Sequence, residues 1–144
     1  MTMSHFGAVL DGLAQHLDRH GRGVYNVDGV FAADERGIVI SAFPAAPREI
    51  VALTLYSPEY TRTSPTATRQ MTACRVQIKY RLHGQPLAVV EFFEGLKDLL
   101  DGKHLPLGDV TAHSEFQSYT PLGQNNADTW VASTNWRLSS LRAL

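Results

Sequence analysis

The sequence predicts an α+β fold, a mainly antiparallel β-sheet with two α-helices packed on one face. Three observations predict it. Segments 4–20 and 86–101 carry apolar residues at helical spacing, and a glycine follows each. Between them, Val76, Ile78, Tyr80 and Leu82 alternate strictly with Arg75, Gln77, Lys79 and Arg81, the period of a strand with one apolar face. After the second helix, two alternating segments separated by turn formers read as an antiparallel hairpin. With 144 residues, the simplest organisation is one domain over 1–144.

Ser4 is placed to cap the first helix, which runs to about His20 with Phe6, Val9, Leu10, Leu13, Ala14 and Leu17 on one stripe. Gly21 suits the left-handed residue that closes such a helix. Residues 23–31 read as a short strand or extended piece with an Asp28-Gly29 turn, and 37–43 as a second short strand before Pro44 and Pro47. The run 49–56 is almost continuously apolar, as expected of a central strand covered on both faces.

Residues 57–73 change character: Pro58, Pro65, five threonines and no apolar period. A stretch of this length without its own structure is unusual in a compact domain and is commonly functional. It reads as a surface loop or, by preference, as an arm that orders against a neighbouring subunit. The strand Cys74–Leu82 follows, then a His83-Gly84 turn. Pro86 suits the first turn of the second helix, which stops at Gly102. That helix places Val89, Phe92, Phe93, Leu96, Leu99 and Leu100 inward and Glu91, Glu94, Asp98 and Asp101 outward. Val110, Ala112, Ser114 and Phe116 share a face of the first closing strand. Trp130, Ala132, Thr134, Trp136 and Leu138 share a face of the second, with an extended loop tip over 121–128.

Composition narrows the function classes. A net charge of −1 supplies no basic field of the kind a dedicated nucleic-acid binder carries. One cysteine, Cys74, excludes an intrachain disulfide and a cysteine-rich zinc site, and suits a reducing compartment. No basic region followed by an apolar core opens the chain, so no signal peptide is expected. The apolar run 50–56 is far shorter than the roughly 20 residues that span a bilayer, so no membrane association is expected.

Chemistry-bearing motifs are sparse. His16 and His20 stand four apart on one helix, but no third ligand accompanies them, and a structural role is the simpler reading. Cys74 in a strand reads as a small buried hydrophobe. Gly21-Arg22-Gly23 lacks the surroundings of a phosphate loop, Asp34-Glu35 reads as a polar turn, and no nucleophile elbow is visible. No catalytic residue, metal or cofactor is therefore expected. Charge is more informative. Arg75, Lys79 and Arg81 have no acidic residue among them, while the second helix presents four carboxylates. Opposite charges on opposite sides suit head-to-tail contact between copies, which closes into a ring when the rotation permits. These seven residues are the candidates for a subunit interface or a ring lumen.

Several stretches also resemble the tail terminator proteins of long-tailed bacteriophages, in the branch labelled phage minor capsid proteins. The resemblance is carried by Leu10-Asp11-Gly12-Leu13-Ala14, Gly23-Val24-Tyr25, Gly37-Ile38-Val39-Ile40 and Val51-Ala52-Leu53-Thr54-Leu55-Tyr56. It continues through Val76-Gln77-Ile78-Lys79-Tyr80-Arg81, Leu99-Leu100-Asp101-Gly102, and Pro121-Leu122-Gly123-Gln124 ahead of Trp136. It covers nearly the whole chain, and its specificity lies in order and spacing. The family pattern opens the second helix with a glycine- and aspartate-rich stretch, where this chain has His83-Gly84-Gln85-Pro86.

The resemblance implies a non-enzymatic virion protein made in the host bacterial cytoplasm and located at the tail–neck junction. Such a protein forms a hexameric ring on the tail tube, ends tube polymerisation and joins the tail to the head–neck connector. Its implied partners are further copies of itself, the tail tube protein, a connector or stopper protein, and DNA passing through the lumen in transient, non-specific contact. Tyr60, Arg62 and Arg69 in the arm, and Gln124, Asn125 and Asn126 at the loop tip, are candidate contacts. The alternatives are another neck protein (tail completion or stopper), or a small α+β enzyme or ligand-binding domain with the arm as its lid.

Overall fold

The computed structural model describes residues 4–40, 42–61, 64, 66–126 and 128–143, the side chain of Asn126 excepted. Two helices and seven strands follow in the order α1 (His5–Arg19), β1 (Val24–Tyr25), β2 (Arg36–Ile40), β3 (Glu49–Tyr60), β4 (Arg69–His83), α2 (Leu87–Leu100), β5 (Lys103–Leu107), β6 (Val110–Asn126) and β7 (Thr129–Ala143). The strands form a curled sheet in the order β1-β2-β3-β4-β7-β6-β5. The first three are mutually parallel and every other pairing is antiparallel. The fold is α+β with a dominant, mostly antiparallel sheet, as the sequence predicts.

Local chemistry sets both helices. Ser4 Oγ accepts the Gly7 amide at 3.1 Å, satisfying one orphan donor of the first turn of α1. At its other end Gly21, at φ +74°, lets the Gly21 amide reach Asp18 O and the Arg22 amide reach Leu17 O, at 3.0 and 2.9 Å. This paired closure needs a left-handed residue. α2 begins after Pro86 without a side-chain cap and is finished from outside. Asp101 Oδ1 accepts the Phe116 amide of β6 at 2.9 Å, and the Gly102 amide donates to Ser114 O at 2.8 Å.

The core fills the space between helices and sheet. Val9, Leu13, Ala14 and Leu17 of α1 meet Ile38, Val51, Leu53, Ile78, Leu105 and Leu107 in one cluster, and Val89, Phe92, Leu96 and Leu100 of α2 complete it with Tyr80 and Trp136. Tyr80 is fully buried and its hydroxyl donates to Val89 O at 2.7 Å, so the polar atom taken inside has a partner.

α1 touches β1 and β2 at one margin of the sheet and β5 at the other, so the sheet curls around it. Two observations show how tight the fit is. Asp11 and Asp18 of α1 accept the Tyr25 hydroxyl and amide at 2.8 and 2.9 Å, fastening β1. On the β5 side, a Cβ added at Gly12 would lie 2.6 Å from Leu107 Cβ and 2.9 Å from its Cα. Only a residue without a side chain admits β5 that close.

Several boundaries differ from the sequence reading. The strand expected over 23–31 is confined to Val24–Tyr25, and that expected over 37–43 covers Arg36–Ile40. Strand β5 was not anticipated. It is five residues long with Pro106 inside, which an edge strand tolerates because the missing N–H faces away from the ladder. Residues 57–73 are not a structureless arm: β3 continues to Tyr60 and β4 begins at Arg69. Register shifts between Tyr56 and Glu59, with Ser57 at φ +50°, so a bulge takes in Pro58 without a lost ladder bond. The extended tip expected over 121–128 is likewise strand, since β6 runs to Asn126 and passes Pro121 through a further register shift.

Replacing Gly12 by alanine tests the α1–β5 contact. Overpacking of about 1–3 kcal/mol should outweigh the ~1 kcal/mol that alanine gains in a helix, so Gly12→Ala is expected to lower the denaturant midpoint. An unchanged midpoint would mean that the Leu107 turn gives way freely.

Candidate functional site

The face of the sheet turned away from the helices carries the predicted cations, and their surroundings differ sharply. Opposite Arg81 lie Ile50 and Val131, opposite Lys79 lie Ala52 and Ser133, and opposite Arg75 lie Tyr56 and Arg137. Pairing register, which fixes these neighbours, decides what each cation does.

Arg81 is only 4% exposed. Its guanidinium donates to four main-chain carbonyls: Arg48 O at 2.8 Å, Pro44 O at 3.0 Å, Ala45 O at 3.1 Å and Pro47 O at 2.7 Å. A planar fork is suited to collecting several acceptors at once, and the segment 44–48, with two prolines and two alanines unable to offer side-chain bonds, supplies them. Burial lowers the Arg81 pKa. The four acceptors satisfy the charge, so Arg81 is committed within its own chain as the clasp of the β2–β3 connection. Lys79 is half-buried, its ammonium 4.6 Å from the centre of the Phe43 ring, where the π-face attracts it.

Arg75 is exposed and faces Arg137 across the β4–β7 ladder. Neither guanidinium has a hydrogen bond or ion pair among the described residues. The carboxylate on the far side of Arg137, Glu115, lies 3.4 Å from His113 Nδ1 instead. Directly opposed like charges are destabilising, so this pair gains nothing from its own sheet partner. The sequence reading had not singled out Arg137. It lies in the polar phase of a recognisable strand, but the register that sets it against Arg75 is not local information.

The acidic candidates divide in the same way. Glu91, Glu94 and Asp98 are exposed on α2 with no ion pair among the described residues. Asp101 is the C-cap residue, bonded to the Phe116 amide and 3.4 Å from Lys97 Nζ. The Phe116 amide is the chief reason its pKa lies below the usual carboxylate value. Glu91, Glu94 and Asp98 stand on the helix side of the sheet, away from the face that carries Arg75 and Arg137.

Of the arm candidates, Tyr60 packs edge-on against Phe6 at 5.4 Å and lies under the Arg142 guanidinium at 5.7 Å, while Arg69 is exposed at the start of β4. Arg62 lies outside the described residues. At the expected loop tip, Gln124 pairs in register with Trp130 and Asn126 with Thr129. Asn125 and Gln124 line an open cleft of about 370 Å³ with Phe43, Lys79, Leu122 and Val131.

His16 and His20 stack with centroids 4.3 Å apart, and His20 Nδ1 lies 2.8 Å from His16 O. No group of three or more His, Cys, Asp or Glu able to hold a metal occurs among the described residues. Cys74 is buried and burial pushes its thiol up to about 11, against thiolate chemistry. No helix of the chain is long and apolar enough to cross a membrane.

No family model matches the chain, and no curated protein matches it in sequence. Among solved structures, it is similar to a chain of the virion of a native gene transfer agent particle. The two are 17% identical with a TM-score of 0.50, over 72% of this chain and 78% of that one. At this identity the likeness is one of fold.

Two outcomes are expected from these contacts. Arg81→Lys keeps the charge but loses the fork, and should cost about 2–3 kcal/mol and expose the 44–48 segment to limited proteolysis. Wild-type resistance would contradict the clasp. The second concerns pH. Neither ring nitrogen of buried His16 has a hydrogen-bond partner, and its pKa is lowered first by burial, then by His20 and Arg19. The unfolded chain therefore binds this proton more readily, so stability present above about pH 6.5 should fall as pH drops through the folded value. Denaturation at pH 7.5 and 5 should show that loss, reduced in His16→Leu. An identical slope in the variant would assign the pH dependence elsewhere.

Proposed function

We propose that this protein is a structural component of a phage-like particle, a tail terminator that closes the tail tube as a ring of identical subunits. The observation that carries the reading is the fold likeness to a chain of a gene transfer agent virion, which extends over nearly three-quarters of this chain. The ordered resemblance of its sequence stretches to tail terminator proteins points the same way. So does the distribution of charge, with unpaired cations on one side of the sheet and unpaired carboxylates on the other, an arrangement suited to head-to-tail contact.

The mechanism is geometric. A tube grows because each ring offers a surface to the next. A terminator ring matched to the tube end covers that surface and presents a different one to the connector above. In this reading the protein works at the tail–neck junction of the virion, with the tube protein, the connector or stopper and its own copies as partners. It performs no chemistry on DNA, which passes through the lumen.

Deletion of the coding gene in a particle-producing host is the direct test. Electron microscopy should show tails longer than wild type and unjoined to heads, with normal length restored by the intact gene. Tails of normal length carrying heads would overturn the reading.

A further inference from the structure

The opposed Arg75–Arg137 pair needs an explanation, because a sheet gains nothing by setting two unpaired guanidinium groups against each other. Pairs of this kind are stabilised when an anion binds between them. The choice lies between phosphate and carboxylate. The chain as a whole carries a net charge of −1, so no long-range field gathers a polyanion. A source of carboxylates is present on the chain itself, on the side the arginines cannot reach.

At about 100° per residue, Leu87, Val90, Glu91, Glu94 and Asp98 fall within one outward stripe of α2 roughly 100° wide. All five are exposed. The stripe is graded, with apolar residues near its start and acids beyond. The sheet face carries a complementary arrangement: the arginine pair at one end, and Lys79 at the other beside a recess lined by Ala42, Phe43, Ala52, Thr54 and Gln77. Along α2, the Glu94–Asp98 midpoint lies ~11 Å from the Leu87–Val90 midpoint at 1.5 Å per residue. Along β4, Arg75 lies ~13 Å from Lys79 and the recess beside it, at 3.3 Å per residue. The two patterns agree in the sign of their charged ends and in the distance from those ends to their apolar parts.

We infer that the α2 stripe of a second copy docks along β4 and β7, with Glu94 and Asp98 on the Arg75–Arg137 pair. Glu91 then approaches Lys79, and Leu87 and Val90 cover the Phe43 recess. The contact is heterologous, since each copy offers its helix stripe to one neighbour and its sheet face to another, and it can therefore propagate around a ring. This inference rests on the ring reading above and names the surfaces that make the ring.

Two reversals in the full chain test it. The variant Arg75→Glu/Arg137→Glu presents acids on both surfaces, and Glu91→Lys/Glu94→Lys/Asp98→Lys presents cations on both. Each alone should self-associate at least roughly tenfold more weakly than wild type in sedimentation, whereas their equimolar mixture should associate as well as wild type. Carbodiimide coupling supplies a readout for weak association. In Arg75→Lys/Arg137→Lys, intermolecular peptides should join positions 75 or 137 to residues within 91–98.

Absence of those coupled peptides, or a mixture no more associated than the separate variants, overturns the inference. Loss of salt-dependent duplex DNA binding in the arginine reversal, with coupling absent, would assign the pair to phosphate instead. Overlong tails on gene deletion would leave the functional reading standing in either case, which separates the two failures.

Discussion

The contact between Gly12 of α1 and Leu107 at the end of β5 is the constraint on which the rest of the architecture depends. The same helix is bonded through Asp11 and Asp18 to Tyr25 of β1, at the far margin of the strand order. One helix fifteen residues long thus holds both margins of a seven-stranded sheet, which it can do only if the sheet curls. The normal twist of strands supplies the direction of curling, and burial of Val9, Leu13, Ala14 and Leu17 supplies the driving force. The glycine sets how nearly the margins approach. Curling places α1 inside the bend, while Phe31 lies against Gly37 and the 44–48 connection against Arg81 on the other face.

Holding the short outer strands against α1 also manages the sheet's edges. β2 covers β3 only as far as Leu53, and β5 covers β6 only as far as Ser114, so both long strands overhang their neighbours. These overhangs carry the features that discourage strand addition: a bulge with Pro58 in β3, and three register shifts with Pro121 in β6. A protein that multiplied by edge-to-edge pairing would keep such edges regular. Side chains on the sheet face and on α2 offer charge and shape instead, which are more selective than a bare strand edge.

Much of this fold was legible in the sequence because its signals are local. Ser4 and Gly21 bracket α1 by satisfying helix-end groups, and strict alternation from Cys74 to Leu82 announces the central strand. The segments misread are those whose structure comes from partners distant in the chain. Residues 57–61 and 69–73 look like loop because threonines and prolines carry no apolar period, yet β7 supplies a ladder for Arg69–His83 along its whole length. β5 is too short and too interrupted to show a period, and it exists because Leu105 and Leu107 are buried beneath α1.

The cations of β4 show most clearly where local reading ends. Arg75, Lys79 and Arg81 share one phase of one strand and are indistinguishable by periodicity. Register gives them three different fates. Arg81 comes within reach of a proline-bound connection that has carbonyls to spare, and it becomes structural. Lys79 comes beside Phe43 and rests on an aromatic face. Arg75 comes opposite another arginine and stays unsatisfied. A charge pattern read from sequence therefore marks a face, and the pairing partner decides which charge on it remains for another molecule. For this chain that reduces a row of three cations to the Arg75–Arg137 pair, with Lys79 as its flank. The same logic removes Asp101 from the acidic row, because its carboxylate already closes α2 onto β6. What remains on each side is shorter than the sequence suggested.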